Sequence, residues 1–331
     1  MNKKKITIIF IIIILFLIIF ITINHIKYKR SVLLDEYSKN LICLPSNNKT
    51  KKQTTVKEFI QTSDRIIWSY WNSENLPWVV KLAIKTWKQN QPNDCICFLT
   101  PKTLFDFIDK KDLPPSYDIL FAQRQADVIR IVLLEKYGGI WIDSTFLLGD
   151  SLDDMWYPKK YDIGCYKANF FTSNEKVPVL ENWFISAPKN SPLIKAWKEE
   201  FYFGLTFDKS RYYIDHLKSI KLDLQNIKGC DYLMMHCALL YVINQPNKYI
   251  IQCSDATGKN NEPLSYLANC NWSSPISIFY LTKNIDSSKK LPETLKLRGC
   301  ERKVLSYWPY ISEKSIIAKL IEKKDNQSII L

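Results

Sequence analysis

An α/β domain with a mixed, mostly parallel central sheet and flanking helices, set behind one N-terminal transmembrane helix, is the fold class that the sequence predicts. Three patterns point to it. An apolar run without a single charge opens the chain. From Arg65 onward, short stretches of β-branched and aromatic residues alternate with amphipathic ones, the order expected of strands joined by helical crossovers. Near the middle, a helix-like run stops at two glycines and passes directly into a strand-like one.

The apolar run extends from Ile6 to Ile23, 18 uncharged residues, or about 27 Å of helix, close to the hydrocarbon thickness of a bilayer. Lys3, Lys4 and Lys5 precede it and Lys27, Lys29 and Arg30 follow it, so six of the chain's net +13 charges flank this one segment. A cleaved signal peptide has a shorter apolar core, about 7–15 residues, that ends at small residues. Here Asn24, His25, Ile26 and Lys27 follow instead, which favours an uncleaved signal-anchor. The basic flanks are balanced under the positive-inside rule. Only the α-amino group tips the N-terminus toward the cytosol, giving a type II, single-pass topology.

Residues 27–62 are polar and lysine-rich, with Ser46, Asn47, Asn48, Lys49, Thr50, Lys51 and Lys52 as the clearest loop signal, and read as a stem. The expected division is therefore an anchor over 1–26, a stem over 27–62, a globular domain over 63–322 and a tail over 323–331. With 331 residues, 47% of them hydrophobic, the chain has material for a sizeable core, which excludes disordered and collagen-like classes.

The first strand of the domain is Ile66 to Trp71, rich in strand formers, and a helix follows Pro77, where proline suits a first turn. Val79, Val80, Leu82, Ala83, Ile84 and Trp87 supply its apolar face. A second strand runs from Cys95 to Leu99, with a helical stretch expected near Leu104 to Ile108.

The most informative run is Gln123 to Thr145. Its helix is apolar almost all round except for one stripe, in which Arg124, Asp127 and Arg130 recur every three residues. Ionised groups on an otherwise buried helix need a partner, whether each other, solvent or a ligand. Gly138 and Gly139 end the helix, the first as a left-handed cap and the second leaving room for close backbone approach. In the strand that follows, Trp141 and Asp143 share one face and Ile140 and Ile142 the other. Asp143 thus falls at the carboxyl end of a strand, where open α/β sheets bind ligands.

Asp127-x-x-Arg130 followed by Tyr137-Gly138-Gly139-Ile140-Trp141-Ile142-Asp143-Ser144-Thr145 resembles the capsular polysaccharide synthesis proteins. These sit within the wider group of DXD-motif glycosyltransferases, which includes the family 32 enzymes and the clostridial glucosylating toxins. The upstream Ile67-Trp68-Ser69-Tyr70-Trp71, Leu76-Pro77 and Thr86-Trp87 resemble the start of the same domain. The resemblance covers roughly Arg65 to Leu320 and implies a GT-A fold, a nucleotide-sugar donor, a glycan or lipid-linked acceptor, and retention of anomeric configuration. It implies that Asp127 and Arg130 hold the donor sugar, that Asp143 is the first carboxylate of the DXD motif, and that Trp71 stacks on the base. Ser306-Tyr307-Trp308 resembles the Ser-x-Trp element that closes over the diphosphate in the toxin branch, so Ser306 and Trp308 join the donor-binding candidates. Asp231 is the acceptor-side catalytic candidate, ahead of His236, which reads as a satisfied buried histidine. Type II topology would place the domain in the Golgi or endoplasmic reticulum of a eukaryotic host, whereas donor supply would place it on the cytosolic face of a bacterial membrane.

The second Asp of the DXD motif is Thr145 here. A hard divalent ion, Mn²⁺ or Mg²⁺, neutralises a departing diphosphate through oxygen ligands, and Asp143 with the Thr145 hydroxyl is the expected protein share of its shell. Asp150, Asp153 and Asp154 are near enough in sequence to offer a substitute carboxylate, although such a cluster is more often a loop and helix cap.

The nine cysteines lack a C-x-x-C pair or zinc-finger spacing and read as free thiols. Sequons at Asn48, Asn271 and Asn326 are no more numerous than chance allows. Phosphate-loop, dinucleotide, zincin and nucleophile-elbow signatures do not occur. The diffuse positive charge carries no nucleic-acid recognition motif, so no nucleic-acid partner is expected. Two other classes remain: a degenerate module that binds nucleotide-sugar or glycan without turnover, motivated by Thr145, and a membrane-tethered scaffold with an aromatic surface.

Overall fold

The computed structural model describes residues 3–44, 56–157, 160–229, 231–258, 262–286, 290–308 and 310–322. The loop expected at residues 46–52, the sequons at Asn48 and Asn326, Cys230 and the tail from 323 lie outside them. The N-terminal run is helix α1 (Lys3–Leu33), and within it Ile8–Ile26 is long and apolar enough to cross a membrane. At its base, Arg30 donates to the Trp308 carbonyl at 3.2 Å and lies over the Trp78 ring.

Part of the expected stem belongs to the folded domain. Strand β1 (Ile42–Cys43) pairs along the sheet edge, and helix α2 (Val56–Thr62) buries Ile60. Next come β2 (Ile66–Tyr70), α3 (Trp78–Asn90) and β3 (Cys95–Leu99). The helix expected near Leu104 to Ile108 is only a 3₁₀ turn, Leu104–Asp106. Five apolar-leaning residues do not repay helix nucleation, and the crossover to the next strand is made by α4 (Ala122–Tyr137) instead.

The chain continues through β4 (Gly139–Ile142), β5 (Phe146–Leu148), β6 (Ile163–Lys167), β7 (Leu180–Ala187), α5 (Pro192–Gly204), α6 (Ser210–Ser219), α7 (Met234–Ile243) and β8 (Ile251–Asp255). It closes with α8 (Ser265–Ala268), α9 (Ser274–Thr282), β9 (Thr294–Lys296), α10 (Gly299–Tyr307) and α11 (Ile316–Glu322). Seven strands form one sheet in the order β1-β3-β2-β4-β7-β6-β8, while β5 and β9 form a separate pair. The sheet is mixed: β2 runs parallel to β3 and β4, and β6 to β8, whereas β1–β3, β4–β7 and β6–β7 are antiparallel.

Strand alternation splits the core in two. Trp68, Cys97, Trp141 and Ile185 pack with α4, α5 and α7 on one face, while Ile67, Phe98, Ile140, Ile142 and Phe184 pack with α3, α9 and α11 on the other. Among the described residues eight cysteines are free, and Cys95 and Cys97 share a face with their sulfurs 3.6 Å apart.

The glycine pair lets α4 turn into β4 without a gap. Gly138 and Gly139 have φ of 69° and 93°, and a Cβ on Gly139 would lie 2.6 Å from the Ile66 carbonyl oxygen of β2. Gly139→Ala is therefore expected to destabilise by at least about 1–3 kcal/mol through backbone strain alone, read as a lower melting temperature by circular dichroism. An unchanged melting temperature would show that β4 does not need this close approach.

Candidate active site

The carboxyl end of β4 gathers side chains from five elements. On α4, Asp127 is flanked by Arg124 at 3.4 Å and Arg130 at 3.3 Å. Arg130 also reaches Asp143 Oδ1 at 3.4 Å, so one guanidinium links both carboxylates, and its Cζ lies 5.1 Å from the Trp141 ring centroid. The Trp141 indole donates to Asp143 Oδ1 at 3.1 Å. Three-residue spacing on α4 and two-residue spacing on β4 together aim these groups at one point, because helix face and strand face meet there.

An irregularity in β7 supplies the next set. Cys165 pairs with Ile185 but Lys167 pairs with Leu180, so residues 181–184 bulge out of register with β6. Bulges re-aim side chains at sites of this kind. The Asn182 amide donates to Asp127 at 3.2 Å, its carbonyl accepts from Arg130, and the Trp183 carbonyl accepts from the Asp143 amide at 2.8 Å. Glu181 lies 3.4 Å from His236 Nε2 on α7, and His236 Nδ1 has no partner among the described residues.

The remaining wall is β5–β9. Trp87 and Asn90 of α3 donate to the Phe146 and Leu148 carbonyls at 2.7 and 2.8 Å, fixing β5. Phe146 pairs with Lys296, the Thr145 hydroxyl donates to the Leu297 carbonyl at 2.6 Å, and the Leu297 amide donates to Thr145 at 3.1 Å. This zipper sets the Lys296 ammonium 2.6 Å from Asp143 Oδ2 and 3.4 Å from Thr145 Oγ1.

Electrostatics divide the carboxylates. Burial pushes Asp127 up, and the two arginines only partly offset it. Burial acts on Asp143 in the same sense, yet Lys296 and Arg130 outweigh it and hold that carboxyl below its usual range. Burial lowers Lys296 and Arg124. Partial burial and the negative charges of Asp143 and Asp127 push the Tyr232 phenol up, which places Tyr232 in the field of the cluster.

Asp127, Arg130, Asp143 and Thr145 thus come together as the sequence predicts. Asp231 joins through its backbone: its carbonyl accepts from Arg124 at 2.7 Å, and it lies in the turn before α7, which begins only at Met234. Trp71 sits just past β2 with the Arg302 guanidinium 5.0 Å from its ring centroid, so a cation from α10 stands on the face expected to take a base. Ser306 is one turn beyond Arg302 and donates back to its carbonyl, whereas Trp308 meets α1 through Arg30. None of these three contacts the Asp127–Asp143 cluster among the bonds of the described residues.

The expected metal ligands do not fit an ion as they are placed. Asp143 Oδ2 holds Lys296, Oδ1 holds Trp141 and faces Arg130, and the Thr145 hydroxyl donates to Leu297 while its oxygen faces the same Lys296 ammonium at 3.4 Å. No group of three His, Cys, Asp or Glu suited to a metal occurs among the described residues. The substitute carboxylates have other surroundings: Asp150 is 3.9 Å from Lys290, Asp153 stands at the N-cap position of a 3₁₀ turn without a side-chain capping bond, and Asp154 is 3.9 Å from Arg65.

A family model described as capsular polysaccharide synthesis protein matches residues 18–275, more than three quarters of the chain. The chain belongs to that family. The match takes in every member of the cluster except Lys296. Among curated relatives, the O-glycosyltransferase braB of Annulohypoxylon truncatum is 28% identical over 157 residues, covering 42% of this chain and 37% of its own. The glycosyltransferase afumC of Aspergillus fumigatus is 27% identical over 169 residues, covering 44% and 41%. The chain thus spans about two fifths of the length of these relatives. Among solved structures, the PaToxG glycosyltransferase aligns with 71% of this chain and 99% of its own at 13% identity and a TM-score of 0.33, too low for a shared fold to be inferred from it.

Sequence reasoning missed Lys296, Glu181, Asn182 as a ligand of the cluster, and Tyr232. Glu181 carried a signal, a carboxylate beside Asn182 and Trp183 in an otherwise apolar strand. Lys296 carried none, being one lysine among many.

Proposed function

We propose that this chain is a glycosyltransferase, held to a membrane by α1 in type II orientation, that moves a sugar from a nucleotide-sugar to a glycan or lipid-linked acceptor with retention of configuration. The observation that carries this reading is the Arg130 guanidinium shared between Asp127 and Asp143 at the carboxyl end of β4, in a chain of this family. A sugar ring presents hydroxyls that a buried carboxylate accepts from and a guanidinium donates to. Asp127, held by the Asn182 amide, and Arg130 would bind those hydroxyls, and Glu181 and Tyr232 would face the acceptor. The names of the fungal relatives agree with this chemistry.

The test is thermal shift of the full chain in detergent against UDP- and GDP-sugars. A bound donor at a hundredfold excess over its dissociation constant stabilises by about 2.7 kcal/mol, and one donor is expected to do so. Release of nucleoside diphosphate from that donor then separates an enzyme from a module that binds without turnover, the reading that Thr145 motivates. No shift with any donor would sink the assignment and favour the scaffold.

A further inference from the structure

Three cations converge on the paired carboxylates Asp127 and Asp143. Among the described residues, Arg124, Arg130 and Lys296 make their ion pairs with Asp127 and Asp143, while Glu181, paired with His236, acts on Lys296 through space. Asp143 already faces Arg130, so Lys296 is a second cation on the same group. Burying a lysine is costly unless its charge is used, and this side chain is only 7% exposed.

The placement is also enforced. The register of β5 with β9, together with the two bonds between Thr145 and Leu297, brings Lys296 to the Asp143-Ser144-Thr145 turn. An ammonium has three donors. Asp143 and Thr145 take two, and among the described residues no acceptor takes the third. Thr145, which cannot supply the second carboxylate of an ion's shell, instead serves to seat this cation.

Resting on the donor reading above, we infer that the Lys296 ammonium stands in the place of the divalent ion, binding the donor diphosphate and neutralising it as it leaves, so that transfer proceeds without a metal. The bond from the anomeric carbon to the diphosphate oxygen breaks, and its electron pair stays on that oxygen. The acceptor oxygen bonds to the anomeric carbon, and its proton passes to the departing diphosphate. Nothing is oxidised or reduced, and Lys296 keeps its proton, donating a charge-assisted hydrogen bond throughout.

The experiment measures calorimetric dissociation constants of UDP, GDP and their monophosphates for the full chain in detergent, in EDTA and in excess MnCl₂. Wild type, Lys296→Met and Lys296→Arg are compared, with folding checked by circular dichroism. Wild type is expected to bind one diphosphate in EDTA within about twofold of its affinity in MnCl₂. Lys296→Met weakens that binding by about tenfold or more, as expected for loss of one charged hydrogen bond, with a smaller effect on the monophosphate, and Lys296→Arg recovers most of it. A merely structural lysine would not change the ratio of diphosphate to monophosphate affinity. Wild-type binding that needs Mn²⁺, or binding in EDTA that Lys296→Met leaves unchanged, overturns the inference. If Lys296→Met does not fold, the wild-type comparison of EDTA with MnCl₂ decides by itself. Failure of both diphosphates to bind wild type in either condition overturns the donor reading itself, a different result from metal dependence.

Discussion

Asp143→Ala is expected to lower sugar transfer, or donor hydrolysis in the absence of acceptor, by about 10²–10³-fold, the usual cost of removing one preorganised electrostatic group. The effect is large because this carboxylate is the hub of the site. One oxygen accepts from the Trp141 indole at 3.1 Å and faces Arg130 at 3.4 Å, while the other holds Lys296 at 2.6 Å. Removing it takes the ion pair from Lys296 and the acceptor from the indole, and leaves Arg130 with Asp127 as its carboxylate, so the geometry that meets the donor is lost along with the charge. Asp143→Asn separates the two contributions, since the amide keeps the shape but carries no charge. Turnover by either variant at the wild-type rate would remove Asp143 from the mechanism.

Arg130→Met is expected to cost about 3–5 kcal/mol of unfolding free energy, the range found when one partner of a buried ion pair is deleted. Asp127 is 8% exposed and Arg130 5%. The guanidinium bonds the Ala126 and Asn182 carbonyls as well as both carboxylates. Methionine matches its aliphatic length but leaves Asp127 with Arg124 and the Asn182 amide as its remaining polar contacts. Burial already pushes the Asp127 carboxyl up, so loss of Arg130 drives it further toward the neutral acid. Urea unfolding of the detergent-solubilised chain measures the loss, and a change below 1 kcal/mol, roughly the worth of an exposed pair, would show that the network is solvated rather than buried.

Much of the site is legible in the sequence because its centre is local. Arg124, Asp127 and Arg130 lie within two helical turns, and Asp143 follows a glycine stop and a four-residue strand. Helical and strand periodicities therefore place them on facing surfaces without knowledge of anything else in the chain. The same holds for the apolar α1 and for the two faces of β4. By contrast, the short helix expected near Leu104 depended on five residues, and periodicity over so short a window does not separate a helix from a 3₁₀ turn.

Local pattern thus determined the membrane-length helix, the α/β class and the Asp127–Arg130–Asp143 core of the site. Tertiary structure alone decided what surrounds that core. Lys296 is 153 positions from Asp143 and arrives only because β9 pairs with β5. Glu181 and Asn182 enter through a register break that no period announces, and Arg302 reaches Trp71 from α10, which packs against α9 and α3. The physical reason is that hydrogen-bond register between distant strands is set by whole-chain packing. A charge on a short strand has no preferred partner until that register brings one within about 3 Å.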